Sequence, residues 1–259
     1  MERQILNSKV TGSGQPLVVL HGLFGLLDNW NTLAGMWAGQ GMEVHLLDMR
    51  GHGRSFHSLN MGLEDMAGDV IEYLRANGLG RTSVLGHSMG GKVAMLLACE
   101  YPQAVTRLIV ADIAPKAYPV HHAHIIEALT ETEKAVPSSR GAADEIMSGY
   151  IPDPTVRGFL LKSLYRREDG TYAFRFDVKN IGGNLPALGQ ALPHNCSYDN
   201  PALFIRGALS RYIQPEDFSG IKAHFPQASL VTIEGAGHWL HAEKKDEFFA
   251  VTTRFLLGT

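Results

Sequence analysis

The chain of 259 residues carries only two cysteines, Cys99 and Cys196, far apart and without metal-ligand spacing. Their positions imply neither a zinc site nor a disulfide framework. Positive charge is not in excess: 23 Lys and Arg stand against 26 Asp and Glu, a formal net charge of −3. Such a chain lacks the basic footprint that holds nucleic acid or an anionic membrane, so neither is expected as a partner. No apolar run nears the ~18 residues of a membrane span. The opening residues, MERQILNSKV, are charged and polar from the second position and lack the apolar stretch of a signal peptide. A soluble, cytoplasmic protein is the expectation. Repeats and low-complexity tracts are missing as well. What remains is an ordinary globular balance, 45% hydrophobic and 19% charged, long enough to bury one large core.

Short apolar runs alternate with longer segments of helical character. LVVLH (17–21), EVHLLDM (43–49), TSVLGHS (82–88), RLIVADIA (107–114), ALFIRGA (202–208) and SLVTIEGA (229–236) read as strands. Several are apolar almost throughout, as strands covered on both faces must be. Helices are expected at 29–40, 63–77, 89–100, 215–224 and 239–257. This alternation predicts α/β architecture, a mostly parallel, doubly wound sheet. It breaks between Pro115 and Tyr198. That stretch holds two helix-like segments, 122–136 and 155–165, and a hairpin in RREDGTYAFRF with its turn at Asp169-Gly170. Pro152, Pro154, Pro186 and Pro193 punctuate it. An insertion this long is no loop of a compact domain. The expected organisation is a core of 1–114 and 199–259, with a mainly helical cap (lid) at 115–198.

Gly86 to Lys92, GHSMGGK, fits two frames. As G-x-x-x-x-G-K it would cradle phosphate, but the next residue must then be Ser or Thr to hold magnesium. Here it is Val93. As G-x-S-x-G it places Ser88 on a sharp turn between a strand and a helix, with glycines where the two must approach closely. The turn holds the hydroxyl above the sheet and aims the Met89 amide at the place where an oxyanion forms, beside a helix N-terminus. VVLHGLFG (18–25) runs a strand into a Gly-rich loop, and the amide of Leu23 is the candidate second donor. His238, in GAGHW at a strand end, is the candidate base.

Four segments together resemble the α/β-hydrolase superfamily, in its Ser-His-Asp esterase branch: His21-Gly22-Leu23-Phe24-Gly25, Asp48-Met49-Arg50-Gly51-His52-Gly53, Gly86-His87-Ser88-Met89-Gly90-Gly91 and Gly237-His238. They stand in the family's order and cover the chain outside the insertion. The resemblance implies a nucleophile Ser88, a base His238, an oxyanion hole of the Leu23 and Met89 amides, and an acyl-enzyme. It implies no cofactor and no metal. A serine nucleophile argues against dehalogenases and epoxide hydrolases, which place aspartate there.

The family's usual acid position, three residues past Gly207, is Ser210, and a hydroxyl cannot stabilise an imidazolium as a carboxylate does. The acid is instead expected at Asp112, the one carboxylate in RLIVADIAP, where a subgroup of small bacterial esterases with DIAP keeps it. Glu216 and Asp217 are rivals that would otherwise cap the helix after Pro215. Other residues have plainer roles in prospect. Asp48 and His52 would fix their loop, His87 would shape the turn, and His241 would pack. His121, His122 and His124 would lie on a solvated cap helix. Phe24 and Trp239 are candidate substrate-binding walls, and Met147, Phe159, Leu160 and Leu164 are cap core first. The expected substrate is a small-molecule carboxylic ester with a short to medium acyl chain. Thioesterase, lactonase and carbon–carbon hydrolase chemistry are alternatives on the same fold, and a slow-turnover receptor is the alternative of another class.

Overall fold

The computed structural model describes residues 4–119 and 122–258. Seven strands form one sheet in the order β1-β3-β2-β4-β5-β8-β9. They are β1 (Ser8–Gly12), β2 (Gln15–Leu20), β3 (Met42–Leu47), β4 (Thr82–His87), β5 (Val105–Ala111), β8 (Ala202–Gly207) and β9 (Ala228–Ile233). The remaining two, β6 (Leu164–Arg166) and β7 (Tyr172–Phe174), pair as an antiparallel hairpin. Only β1 runs antiparallel in the large sheet, along β3; every other pairing there is parallel. The six strands expected from the sequence are present, and β1 is an addition. Its SKVTG segment is a half-exposed edge with no apolar alternation to announce it.

The helices are α1 (Asn31–Ala38), α2 (Leu63–Ala76), α3 (Met89–Glu100), α4 (Ala123–Lys134), α5 (Arg140–Ser148), α6 (Pro154–Leu161), α7 (Val178–Leu188), α8 (Phe218–His224), α9 (Leu240–Glu243) and α10 (Lys245–Leu257). Side chains of a strand alternate between faces. Val18 and Leu20 of β2 thus join the layer that holds α2 and α3, through Val70, Val93 and Leu97. Leu17 and Val19 join the opposite layer with Trp37 of α1 and Phe248 of α10. Burial on both faces is the reason these strands are apolar without interruption.

Helices α4 to α7 and the hairpin lie between β5 and β8. Segments 122–136 and 155–165 form α4 and α6, and the hairpin turns at Gly170, whose φ of 88° needs a glycine. Helices α5 and α7 were not legible. Helix α7 contains Pro186, read above as punctuation, together with Gly182 and Gly183. Gly182 has a purpose: a Cβ there would sit 3.0 Å from Ile126 of α4.

The two ends of the insertion lie side by side. Tyr118 N donates to Gly189 O at 2.8 Å, and Leu192 N to Pro115 O at 2.9 Å. The buried ammonium of Lys92, on α3, donates to the carbonyls of both Lys116 and Gln190. One further tie corrects the cysteine reading. Cys99, near the end of α3, and Cys196, just before β8, form a disulfide with a Cα–Cα distance of 5.3 Å. Their separation of 97 residues left no trace in the sequence because the fold alone brings them together.

Candidate active site

Ser88 stands between β4 and α3 with φ 52° and ψ −117°, backbone values that ordinary side chains avoid. The neighbouring glycines make that turn possible. A Cβ on Gly86 would meet Gly90 O at 2.1 Å, and one on Gly90 would meet Leu20 O at 2.4 Å. The Ser88 amide donates to Ala111 O at 3.0 Å, which ties the turn to the adjacent strand.

Asp112 is the next residue after β5, fully buried, and also at positive φ (54°). Its Oδ1 accepts the amide of Gly207 at 3.1 Å, and its Oδ2 accepts the Ser210 hydroxyl. The same Oδ2 lies 2.8 Å from His238 Nδ1. A carboxylate only accepts, so Nδ1 carries the proton and Nε2 is left as an acceptor. Nε2 lies 3.0 Å from Ser88 Oγ, so that hydroxyl donates to it. The structure thus brings together Ser88, His238 and Asp112, residues 150 and 126 positions apart within each bonded pair. Ser210, at the family's usual acid position, donates its hydroxyl to the Asp112 carboxylate and accepts the Tyr212 amide at 3.2 Å. Asp217 is occupied elsewhere, by Lys116 at 2.6 Å and the Gln214 amide at 2.8 Å, and Glu216 is exposed.

Leu23 and Met89 line the same cavity as Ser88. Their amides donate to no other described residue. Helix α3 starts at Met89, so its amide is one of the groups a helix leaves unpaired. The loop that carries Leu23 is held by histidines. His52 Nδ1 donates to Arg50 O at 3.0 Å, and its Nε2 accepts the Phe24 amide at 3.2 Å. His21 Nδ1 donates to Gly22 O at 2.8 Å, and its Nε2 accepts the Met49 amide at 3.0 Å. Each uses one nitrogen to give and the other to take, which only the neutral ring does. Burial lowers His21 to a pKa of about 4 and His52 to about 3, in keeping with that. Asp48 fixes the same region through the amides of Leu27 and Arg54, at 2.9 and 3.0 Å.

His87 donates from Nε2 to the backbone carbonyl of His238 at 2.8 Å, and burial lowers its pKa well below the ordinary value. His241 is buried and stacks on Trp30 with ring centroids 4.2 Å apart; its pKa falls to about 3, chiefly by burial. Phe24 is buried against Phe176, and Trp239 is half-buried 5.2 Å from the Phe159 ring; both line the cavity that contains His238. His122 departs from expectation. It does not lie on a solvated helix face but lines the cavities beside Ser88, with its ring 6.3 Å from Phe24. His124 is exposed, and His121 lies outside the described residues.

Three contributors escaped the sequence reading. The Tyr212 ring stacks on His238 at 3.9 Å. Tyr118 donates its hydroxyl to Tyr212 O at 2.5 Å and accepts the Ala114 amide at 2.9 Å. Lys92, four residues past Ser88, lines the cavity with its ammonium 5.2 Å from the Tyr118 ring, and burial lowers its pKa to about 7. The DIAP and GGK segments held the signals for position, but the contacts depend on where the insertion returns.

A family model described as the alpha/beta hydrolase fold matches residues 15–148. The chain is 37% identical over 247 residues to the sn-1-specific diacylglycerol lipase ABHD11 of Mus musculus, covering 93% of this chain and 80% of that one. It is 35% identical over 251 residues to the esterase YbfF of Escherichia coli, covering 94% of each. A solved structure, a marine microorganism esterase, superposes with a TM-score of 0.94 at 39% identity, over 98% of this chain and 100% of that one.

Proposed function

The chain belongs to the α/β-hydrolase family, and within it we propose a carboxylesterase that works through Ser88, His238 and Asp112. The observation that carries this reading is the unbroken hydrogen-bonded line from Ser88 Oγ through His238 to Asp112. Ser88 attacks the ester carbonyl as its proton passes to His238 Nε2. Asp112 holds the ring in the tautomer that accepts this proton and stabilises the imidazolium that forms. The carbonyl oxygen gains negative charge between the amides of Leu23 and Met89. Each such donor is worth roughly 10²–10³ in rate. His238 returns the proton to the departing alcohol. Water, activated by the same nitrogen, then frees the acid from Ser88.

Residues 115–198 act in this reading as a cap over the core of 1–114 and 199–259. Support comes from the cavity walls at Ser88, which include Leu185 and Leu188 of α7 and Phe159 of α6. The walls are largely apolar, which favours acyl groups of short to medium length over polar ones. No cofactor or metal takes part in the reading. A cytoplasmic setting, expected from the sequence, stands against the Cys99–Cys196 disulfide, a bond that persists in oxidising compartments. Alkylation in freshly trapped lysate decides between them: two free thiols support the cytoplasm, and a bridged pair supports an oxidising compartment.

The decisive experiment has two parts. A fluorophosphonate should add its mass to Ser88 alone. A panel of p-nitrophenyl esters should then be turned over many times per protein molecule. A burst of one equivalent followed by near silence would favour the receptor reading. Labelling of any other residue would remove Ser88 from its role.

A further inference from the structure

Two cavities meet at Ser88, and His238 stands in only one of them. Leu23, Ser88 and His122 line both. The first continues along Met89, Leu188 and Tyr212. The second continues along His238, Trp239 and Phe159. In ester cleavage the two sides are not equivalent. The Ser88 Oγ–carbon bond forms, and the carbon–alkoxy bond breaks only as the alkoxy oxygen receives the proton that His238 Nε2 took from Ser88. In the second half, water gives its proton to the same nitrogen and its hydroxyl to the acyl carbon, and Ser88 recovers its proton. Alcohol and water therefore belong on the side of His238. The acyl substituent, on the opposite side of the carbonyl carbon, takes the cavity lined by Met89 and Leu188.

The two sides also differ in what lies beyond them. The acyl cavity is about 60 Å³. A cavity of roughly 150 Å³ is what holds a benzene molecule, so this one has room for a few carbons. Among the described residues it shares no lining residue with the outer groove of about 580 Å³. The His238 cavity is equally small, about 60 Å³, but Asn29, Phe159, Trp239 and His241 belong both to it and to that groove. The Phe159 and Trp239 rings, tilted by 38° and neither fully buried, stand where the cavity passes into the groove.

We infer that this site selects esters of small acids with large alcohols, whose apolar or aromatic part lies against Phe159 and Trp239 in the outer groove. The inference rests on the carboxylesterase reading and goes beyond it by assigning sides. It assigns the candidate substrate walls Phe24 and Trp239 to the alcohol side.

The test is a grid of ethyl, benzyl and 2-naphthylmethyl esters of acetic, butyric and octanoic acids. These alcohols are similar in acidity, so leaving-group chemistry does not mask binding. For the wild-type protein kcat/KM should rise about tenfold from ethyl to 2-naphthylmethyl butyrate, the scale of one aromatic contact. It should fall about tenfold or more from butyrate to octanoate at fixed alcohol, as an overfilled cavity would require. Phe159→Ala and Trp239→Ala should each lower the naphthylmethyl-to-ethyl ratio and leave the octanoate-to-butyrate ratio in place. Leu188→Ala should do the reverse. Preference for octanoate with indifference to the alcohol would overturn the inference, as would an acyl-length response at Phe159; the wild-type grid decides even if a variant fails to fold. A protein that hydrolyses no ester of the grid and none of the p-nitrophenyl esters overturns the carboxylesterase reading and the inference with it. Hydrolysis with the two responses exchanged overturns the inference alone.

Discussion

The sheet edge that carries Ser88 and the insertion that covers it hold their parts by different means. At the sheet edge, β4, β5 and β8 are bonded strand to strand. Backbone amides fix the functional groups: Ser88 N to Ala111 O, and Gly207 N to the Asp112 carboxylate. Short helices form the insertion. Its two ends are held by one buried lysine, two backbone bonds and a disulfide. The first arrangement tolerates little displacement, which suits groups that must stay within hydrogen-bond reach during proton transfer. The second tolerates sequence change, which suits walls that rank substrates. In the proposed function, chemistry and selectivity fall to two regions that meet across Ser88.

The largest effect should come from the rigid side. Ser88→Ala should lower kcat by roughly a million-fold with an unchanged circular dichroism spectrum and melting temperature. Retention of even a hundredth of the activity would break the division, because the nucleophile would then lie elsewhere. Asp112→Asn should cost up to about 10⁴ in kcat at saturating ester, since an amide presents the wrong partner to Nδ1. Adding Ser210→Asp in that background should restore part of the loss, because the Ser210 hydroxyl already reaches the Asp112 carboxylate. Ser210→Ala alone should cost about tenfold or less, the value of one hydrogen bond to a charge that the amide of Gly207 still supports. If Ser210→Ala matched Asp112→Asn, the acid could not be assigned to Asp112 alone.

Exchanging residues 120–195 for the insertion of a relative should sharpen the comparison from the other side. The ranking of esters should change about tenfold or more, and the rate of Ser88 labelling by a small fluorophosphonate should change less. Equal changes in both would mean that the insertion shapes the triad as well as the walls.

The smallest effect on activity, though visible in stability, concerns pH. His21, His52, His87 and His241 all have pKa values lowered by burial, to about 4 for His21 and about 3 for His52 and His241. The unfolded chain binds protons to these rings below about pH 6.5; the folded protein does so only near pH 3 to 4 at His21, His52 and His241, and at His87 only well below the ordinary value. Their contribution is therefore fully present above pH 6.5 and is lost as pH falls toward 4. None of the four lies in the insertion. Calorimetry should give a melting temperature roughly 10 °C lower at pH 4.5 than at pH 7.5, a loss of several kcal/mol. A flat profile would mean that these rings accept protons without disrupting the sheet edge.

Legibility followed the same division. Each parallel strand advertised itself by an apolar run, and the turn at Ser88 by glycines that no other residue can replace there. The insertion was legible only where a helix was amphipathic or a turn held Asp-Gly. Helix α7 was hidden by Gly182, Gly183 and Pro186, which propensity disfavours and packing against α4 overrules. His122 read as part of a solvated helix because the His121, His122 and His124 cluster has no acidic or cysteine partner at ligand spacing. Its place beside Phe24 depends on where α4 begins over the sheet.

By itself the sequence determined the parallel sheet and the strained turn at Ser88, because these follow from local patterns of apolar runs and glycine spacing; it made His238 and Asp112 candidates through the family resemblance, with Glu216 and Asp217 as rivals for the acid. Only the tertiary structure decided that Ser210 serves Asp112, that Cys99 meets Cys196, that Tyr212 stacks on His238, and that Ser88 faces two cavities with the histidine in one. The first two are contacts between segments roughly a hundred residues apart, on either side of the insertion. No local pattern encodes any of them, because each depends on how loops at separate strand ends come together over the sheet.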